Sequence, residues 1–338
     1  MKDVIQYLEP YGYIDMEALL NKERFSYIFI TGARGCGKTY GAIDWLLHVK
    51  REPFLLMKRT QVQADFAGTP LTTPISVNLR EGQEIVERNT KVKNLHLMEV
   101  LQDGEPYGKV YVTALSSISS MRGINLAEVG TVLFDEFIKE PHERPIRFEY
   151  DCFRNAMETL GRNREFYGKP PLKVIALSNA IDLANPYYRG FGCVNQVYAM
   201  KGDRWEDPAQ SLAIYRPRSE AFVARKKKTA LYQTGASSGQ VLGNSWETVG
   251  QEDIRSLNLK YCSPICSIDD VGFYKVQGGI FASASKNPGV PAFDLTASVD
   301  RALAHRKYQN VFDALFLKKI TYESVDVKLR CMEIAERS

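Results

Sequence analysis

The sequence predicts an α/β fold with a mainly parallel sheet, and three observations carry that prediction. An apolar run, Tyr27-Ile28-Phe29-Ile30-Thr31, enters the glycine-rich turn Gly32-Ala33-Arg34-Gly35-Cys36-Gly37-Lys38-Thr39, and a helix-like stretch, Tyr40–Leu47, leaves it. Further apolar runs of strand length follow at Pro53–Met57, Lys109–Leu115, Val129–Phe134 and Lys173–Leu177, the mark of strands buried on both faces and joined by crossovers. Polar residues close several of these runs: Lys58-Arg59, Asp135-Glu136 and Ser178-Asn179. In open α/β sheets that carboxyl end faces the ligand crevice.

The turn has the G-x-x-x-x-G-K-[ST] spacing and lies between a buried strand and a helix, where its mechanism needs it. Backbone N–H groups of Gly32, Ala33, Arg34, Gly35, Cys36 and Gly37 would curl around phosphates, and the helix N-terminus adds positive potential. Lys38 would reach the β/γ oxygens and Thr39 would ligate Mg²⁺, so ATP and Mg²⁺ are the expected cofactors. Asp135, closing a buried strand, is placed to hold the Mg²⁺ hydration shell, and Glu136 to orient or deprotonate an attacking water. Strands often end in acids; the preceding phosphate loop gives this pair its meaning.

The other elements follow in chain order. Residues 1 to 25 carry Tyr7, Tyr11, Tyr13 and Phe25, which either pack beside an adenine or cover a sheet edge. Lys58 and Arg59 are candidates for phosphate or DNA contact, or else solvated surface charges. Residues 60 to 110, with turn signals at Gly68-Thr69-Pro70, Glu81-Gly82 and Asp103-Gly104, read as hairpins inserted between core elements, and Ser116–Gly123 as a polar loop. Phe153, Ala156, Met157 and Leu160 recur at helical spacing before Gly161 stops the helix. Arg162 and Arg164 follow, either complementing the helix dipole or forming an arginine finger for a neighbour's triphosphate. Asn179 would sense the γ-phosphate or hold the lytic water.

These readings divide the chain into a nucleotide domain over residues 1–195, a linker over 196–235 and a small α+β domain over 236–338. The linker carries a basic patch, Arg225-Lys226-Lys227-Lys228, as a candidate phosphate-backbone contact, and a Gly/Ser loop, Thr234–Gly239. In the last domain Gly272–Val276 and Gly279–Phe281 predict a hairpin, and residues 296–318 and 322–336 predict helices. Asp269, Asp270, Asp294 and Asp300 are more simply turn and helix-start acids than a two-metal nuclease site.

Composition bounds the function classes. The chain has 338 residues, 44% of them hydrophobic, and a net charge of +4, which permits a nucleic-acid partner without requiring one. Six scattered cysteines and an N-terminus without a secretory apolar segment predict reduced thiols in a cytoplasm. Cys262 and Cys266 have no histidine or second pair to complete a zinc site. No apolar run reaches membrane-span length.

Taken in order, Gly32–Thr39, Phe134-Asp135-Glu136-Phe137-Ile138, Met157–Glu165, Leu177-Ser178-Asn179-Ala180 and Asn185-Pro186-Tyr187 resemble the DNA-packaging ATPases (DNA encapsidation proteins) of small podoviruses, relatives of large terminases. Arg34 inside the loop is itself similar to terminases. The resemblance covers roughly residues 25 to 195. It implies an additional-strand P-loop fold, a C-terminal domain like a degenerate ribonuclease-H-type nuclease, and a homomeric ring, commonly a pentamer, on the capsid portal. It also implies ATP-driven translocation of double-stranded DNA in the host cytoplasm, with Arg162 as the trans-acting finger and Arg164 as its fallback. Gln61 stands where a lysine of the family is expected. Whether the portal alone or a structured packaging RNA receives the C-terminal domain stays open. The rival readings are a P-loop kinase, which would not need Glu136, a non-packaging nucleic-acid-dependent ATPase, and a non-hydrolysing scaffold. A GTPase is disfavoured because no N/T-K-x-D signature follows the acidic strand.

Overall fold

The computed structural model describes residues 5–118, 126–140, 143, 146–162, 164–179, 183, 185–229, 253–317 and 319–337. The chain separates into two units, Met1–Phe191 with Met200–Glu247, and Gly192–Ala199 with Thr248–Ser338.

The first unit opens with two short antiparallel strands, β1 (Tyr7–Leu8) and β2 (Tyr13–Ile14), and helix α1 (Met16–Lys22), whose N-terminus Asp15 caps by accepting from the Ala18 N–H. Strand β3 (Tyr27–Gly32) leads through the glycine turn into α2 (Lys38–Asp44), which widens into a π-helical segment at Trp45–Lys50. Strand β4 (Phe54–Lys58) is followed by α3 (Gln61–Ala67), which begins in a reciprocal capping box between Thr60 and Gln63. Then come β5 (Gln83–Arg88), β6 (His96–Gln102), β7 (Glu105–Ala114), α4 (Leu115–Ile118), β8 (Thr131–Asp135), α5 (Glu149–Gly161), β9 (Lys173–Asn179) and α6 (Pro186–Gly190). Helix α7 (Val194–Ala199) belongs to the second unit, after which the chain returns with β10 (Arg204–Asp207), β11 (Leu212–Tyr215) and α8 (Glu220–Lys227).

Nine strands form one sheet in the order β10-β11-β3-β9-β8-β4-β7-β6-β5. From β11 to β7 all neighbours are parallel, and β10, β6 and β5 pair antiparallel at the two edges. Strands β3, β4, β8 and β9 are buried along almost their whole length, which is why they read as unbroken apolar runs. One strand, β9, lies between the strand that feeds the glycine turn and the strand that ends in Asp135. Three chain segments therefore deliver their last residues to one crevice.

The structure corrects the expected linker. Residues 204–215 form the hairpin β10–β11, and Leu212, Ala213, Ile214 and Tyr215 pair in parallel with Tyr27, Ile28, Phe29 and Ile30. A four-residue apolar run between polar flanks is too short to stand out by composition, yet full burial beside β3 makes it core. The hairpins expected over residues 60–110 are the edge strands β5 and β6, which extend the same sheet. Most of the Ser116–Gly123 loop and all of Thr234–Gly239 lie outside the described residues, as do Asn163 and Ala180.

The second unit holds a five-stranded sheet in the order β15-β12-β13-β14-β16, built from β12 (Ser263–Ile268), β13 (Val271–Val276), β14 (Gly279–Ser283), β15 (Ala292–Phe293) and β16 (Ile320–Tyr322). The central three strands form an antiparallel meander, and the outer two are parallel to their neighbours. The expected helix over 296–318 is two, α9 (Ser298–Lys307) and α10 (Gln309–Phe316), broken at Tyr308; α11 (Val325–Arg337) completes the unit. Phe273, Phe312, Leu315, Val327 and Cys331 fill its core. No disulfide joins the six cysteines, and no cluster suited to a metal ion occurs among the described residues. Asp269 pairs with Arg337 and Asp270 with Arg330, while Asp294 accepts from Thr296 and its own N–H donates to Asp300. No described helix is long and apolar enough to cross a membrane.

Candidate functional site

The glycine turn runs through left-handed backbone at Gly35 (φ 81°) and Gly37 (φ 92°), a conformation that costs other residues about 1 kcal/mol or more. Lys38, first residue of α2, is buried and folds back, its Nζ donating to the carbonyls of Gly32 (3.0 Å) and Ala33 (2.9 Å) and lying 3.6 Å from Cys36 Sγ. Arg34 and Gly35 are exposed at the tip of the turn. Thr39 Oγ1 donates to Asp135 Oδ1 at 2.9 Å, joining the start of α2 to the end of β8. A cavity of about 660 Å³ opens over this junction, lined among others by Tyr13, Gly35, Lys38, Thr39, Asp135, Glu136 and Asn179.

Lys58, at the end of β4, sits against the two acids: its Nζ donates to Asp135 Oδ2 at 2.8 Å and reaches Glu136 Oε2 at 3.5 Å. Burial pulls the Lys58 ammonium down, but the charges of Asp135 and Glu136 more than offset this and hold it above the ordinary lysine value. Asp135 is buried, whereas the Glu136 side chain is 46% exposed and its backbone is left-handed (φ 59°), which turns the carboxylate out of the strand line. The chain after Glu136 is hung from the end of β9. Phe137 N donates to the Leu177 carbonyl (3.2 Å) and Ile138 N to Ser178 Oγ (3.3 Å), so the Ser178 hydroxyl holds this loop. Asn179 lines both the main cavity and a smaller polar one of about 200 Å³ shared with Gln63, Glu136 and Glu143.

Arg59 is not a surface cation. It is fully buried, with Nε and Nη2 donating to Glu149 (2.7 and 3.0 Å) and Nη1 to Glu143 (2.8 Å), while the Tyr187 hydroxyl donates to Glu149 Oε1 (2.9 Å). Burial and then the Glu149 carboxylate raise the Tyr187 phenol well above its ordinary value. Neither Lys58 nor Arg59 is therefore free for phosphate or DNA. Both end a buried strand and face carboxylates from other segments, Glu143 and Glu149 among them, which no local pattern pointed to.

Helix α5 begins at Glu149, beside the carboxyl end of β4, and returns towards the amino end of β9. Its 13 residues span roughly 20 Å. Arg162 caps it in left-handed backbone (φ 29°) with an exposed side chain. Arg164 is committed to main-chain carbonyls, Nη1 donating to Ala127 (3.2 Å) and Val129 (2.9 Å) and Nε to Pro170 (3.2 Å). Arg164 thereby pins the turn after α5 to the segment entering β8, which sets it apart from the exposed Arg162. Because Val129 precedes β8 and Asp135 ends it, Arg162 stands at the opposite end of the strands from its own chain's Asp135 and Thr39.

Of the early aromatics, Tyr13 lines the main cavity and packs on Gly37, and Tyr11 is half exposed under the Arg225 guanidinium (4.3 Å). Tyr7 accepts from the Arg218 N–H, and Phe25 is buried in the core. In the basic patch, Lys226 donates to the Arg34 carbonyl; burial, followed by the charges of Lys38 and Arg34, lowers its pKa. Part of that patch thus buttresses the glycine turn.

These features define a class: a mixed α/β protein with an anion-suited loop, paired acids and a bridging lysine at the carboxyl ends of parallel strands. Within it, the chain belongs to the podovirus DNA encapsidation protein (Gp16) family, whose model matches residues 10–240. It is similar to the DNA packaging protein of Bacillus phage B103, 28% identical over 245 residues, spanning 69% of this chain and 68% of that protein. The similarity to the phage phi29 DNA packaging protein, 28% over 225 residues, spans 64% of this chain and 62% of that one. The fold is shared with a chain of the phi29 viral genome packaging motor assembly (TM-score 0.68, 18% identity, 96% of this chain and 99% of that one). It is also shared with the Phi-28 gp11 DNA packaging motor (TM-score 0.61, 17% identity, 97% and 98%).

Proposed function

We propose that this encapsidation-family protein is an ATP-hydrolysing motor subunit that translocates double-stranded viral DNA into an empty procapsid. The observation that carries the reading is the 2.9 Å Thr39–Asp135 hydrogen bond, which aims a loop hydroxyl and a strand-end carboxylate into one cavity. Two hard oxygen donors beside a nest of left-handed glycines suit Mg²⁺ and a triphosphate. Thr39 and Asp135 would hold the ion, which neutralises charge on the β- and γ-phosphate oxygens when bound. The turn from Gly32 to Gly37 would cradle the phosphates, and Lys38 would release the Gly32 and Ala33 carbonyls to reach them.

Glu136, exposed and turned out of the strand, orients and deprotonates the attacking water. Asn179 holds that water or senses the γ-phosphate, and Ser178 couples its strand to the loop after Glu136. Arg162 acts in trans on a neighbouring subunit's site, in keeping with its distance along the sheet from its own Asp135. The position of β9 between β3 and β8 supports an additional-strand P-loop ATPase. The second unit is read as the nucleic-acid- and portal-docking domain, a degenerate ribonuclease-H-like fold without nuclease activity, its aspartates engaged in turns and ion pairs. The working assembly is a homomeric ring, taken as a pentamer, on the portal vertex in the host cytoplasm, with the portal or a structured packaging RNA as receiver. Phosphate release from purified protein, measured with and without duplex DNA and empty procapsids, tests the reading. Stimulation by both is expected, and no release under any condition would overturn it.

A further inference from the structure

The most exposed large apolar side chains described in the first unit are Leu71 (93%), Phe166 (86%), Tyr167 (79%), Val77 (67%), Val62 (66%) and Phe66 (63%). They lie in only two places. One is the outer side of α3 and the loop that follows it. The other is the turn Arg164–Tyr167 just beyond Arg162. A soluble chain rarely displays large apolar groups in concentrated patches without a partner for them. Two different patches on one chain, each suited to the other, make a head-to-tail contact between copies rather than a two-fold one.

The placement of the patches ties them to the site. Gln63 of α3 lines the small cavity with Glu136 and Glu143, so the first patch borders the acids. The turn that carries the aromatics is anchored, because Arg164 bonds the carbonyls of Ala127, Val129 and Pro170, which lowers the backbone ordering cost of presenting Phe166 and Tyr167. Charge is complementary as well. Glu136 and Glu140 flank the α3 side, while exposed Arg162 and Lys169 flank the aromatic turn.

We propose that Phe166 and Tyr167 of one copy dock on the Val62–Phe66–Leu71 face of the next, and that this contact carries Arg162 to the second copy's Glu136 cavity. The inference rests on the proposed trans action of Arg162 and adds the surface that delivers it. The occupant is a second copy of this chain.

The test uses full-length chains in a Cys152→Ser, Cys262→Ser background. Phe66→Cys and Phe166→Cys are made in separate chains and mixed with duplex DNA, Mg²⁺ and a non-hydrolysable ATP analogue under mild oxidation. A disulfide-linked dimer is expected from the mixture and not from either chain alone. Linkage no greater in the mixture, or linkage by Phe166→Cys alone, would overturn the proposal. A second measurement does not depend on cysteine geometry. Phe166→Ser with Tyr167→Ser should weaken self-association roughly 30-fold or more, the scale of losing one interface hot spot, and unchanged association would count against the contact. ATP turnover of the unsubstituted chain is read in parallel. Turnover without cross-linking removes the interface and spares the ATPase reading, whereas cross-linking without turnover does the reverse.

Discussion

The Arg59 network offers the sharpest stability test, because a fully buried guanidinium stands at its centre. Arg59 donates three bonds to two carboxylates, Glu149 and Glu143, and its side chain has no exposure. Arg59→Met would leave Glu149, 2% exposed, with the Tyr187 hydroxyl donating to it but no bidentate guanidinium. Breaking a buried pair by removing one partner costs about 3–5 kcal/mol, because the remaining charge is stranded. Arg59→Lys should recover little of that, since one ammonium cannot reproduce the planar fork that spans both acids. The double variant Arg59→Met, Glu149→Leu should be more stable than Arg59→Met alone, because no buried charge is then left over. Urea unfolding followed by circular dichroism, with the transition of the first unit resolved, measures all three. A cost below about 1 kcal/mol for Arg59→Met, or a double variant no better than the single one, would refute the stranded-charge argument.

Four further outcomes are expected. Glu136→Gln should bind ATP yet lose turnover by about 10²- to 10⁴-fold, checked by nucleotide binding and phosphate release on one preparation. Gly37→Ala should weaken ATP binding, because its φ of 92° disfavours any Cβ and the new atom would lie 3.4 Å from Tyr13 Cβ; nucleotide titration checks it. Arg162→Ala chains mixed with Glu136→Gln chains should recover part of the lost activity, and recovery at no mixing ratio would place the finger elsewhere. Lys58 titrates above its ordinary value in the folded chain, so its stabilisation is complete below the unfolded lysine value and is lost as pH rises through the folded one. The stability deficit of Lys58→Met should thus be flat from about pH 6 to 9 and shrink only in the alkaline range, as urea midpoints across pH would report.

What the sequence made legible is what one contiguous stretch encodes. The glycine turn needs only its own backbone and the strand and helix on either side, so its spacing announces it. Asp135 and Glu136 were readable for the same reason, a buried run ending in acids. Lys58 and Arg59 read as free cations in the sequence because their partners are 77 to 90 positions away along the chain, at Asp135, Glu136, Glu143 and Glu149. Strand β11 is hidden in the sequence because four apolar residues in a polar stretch carry no periodicity, and only pairing with β3 makes them core.

The pair Arg162 and Arg164 shows the limit most clearly. Two arginines two positions apart after a helix are equivalent in sequence, and only the direction of α5 and the carbonyls of Ala127, Val129 and Pro170 distinguish them. Arg164 is consumed in fixing the turn. Arg162, exposed on that fixed turn, is held at the end of the sheet its own cavity does not occupy. A cation so mounted would reach its own chain's cavity only if α5 came apart, and that is the geometric ground for the action in trans proposed for it.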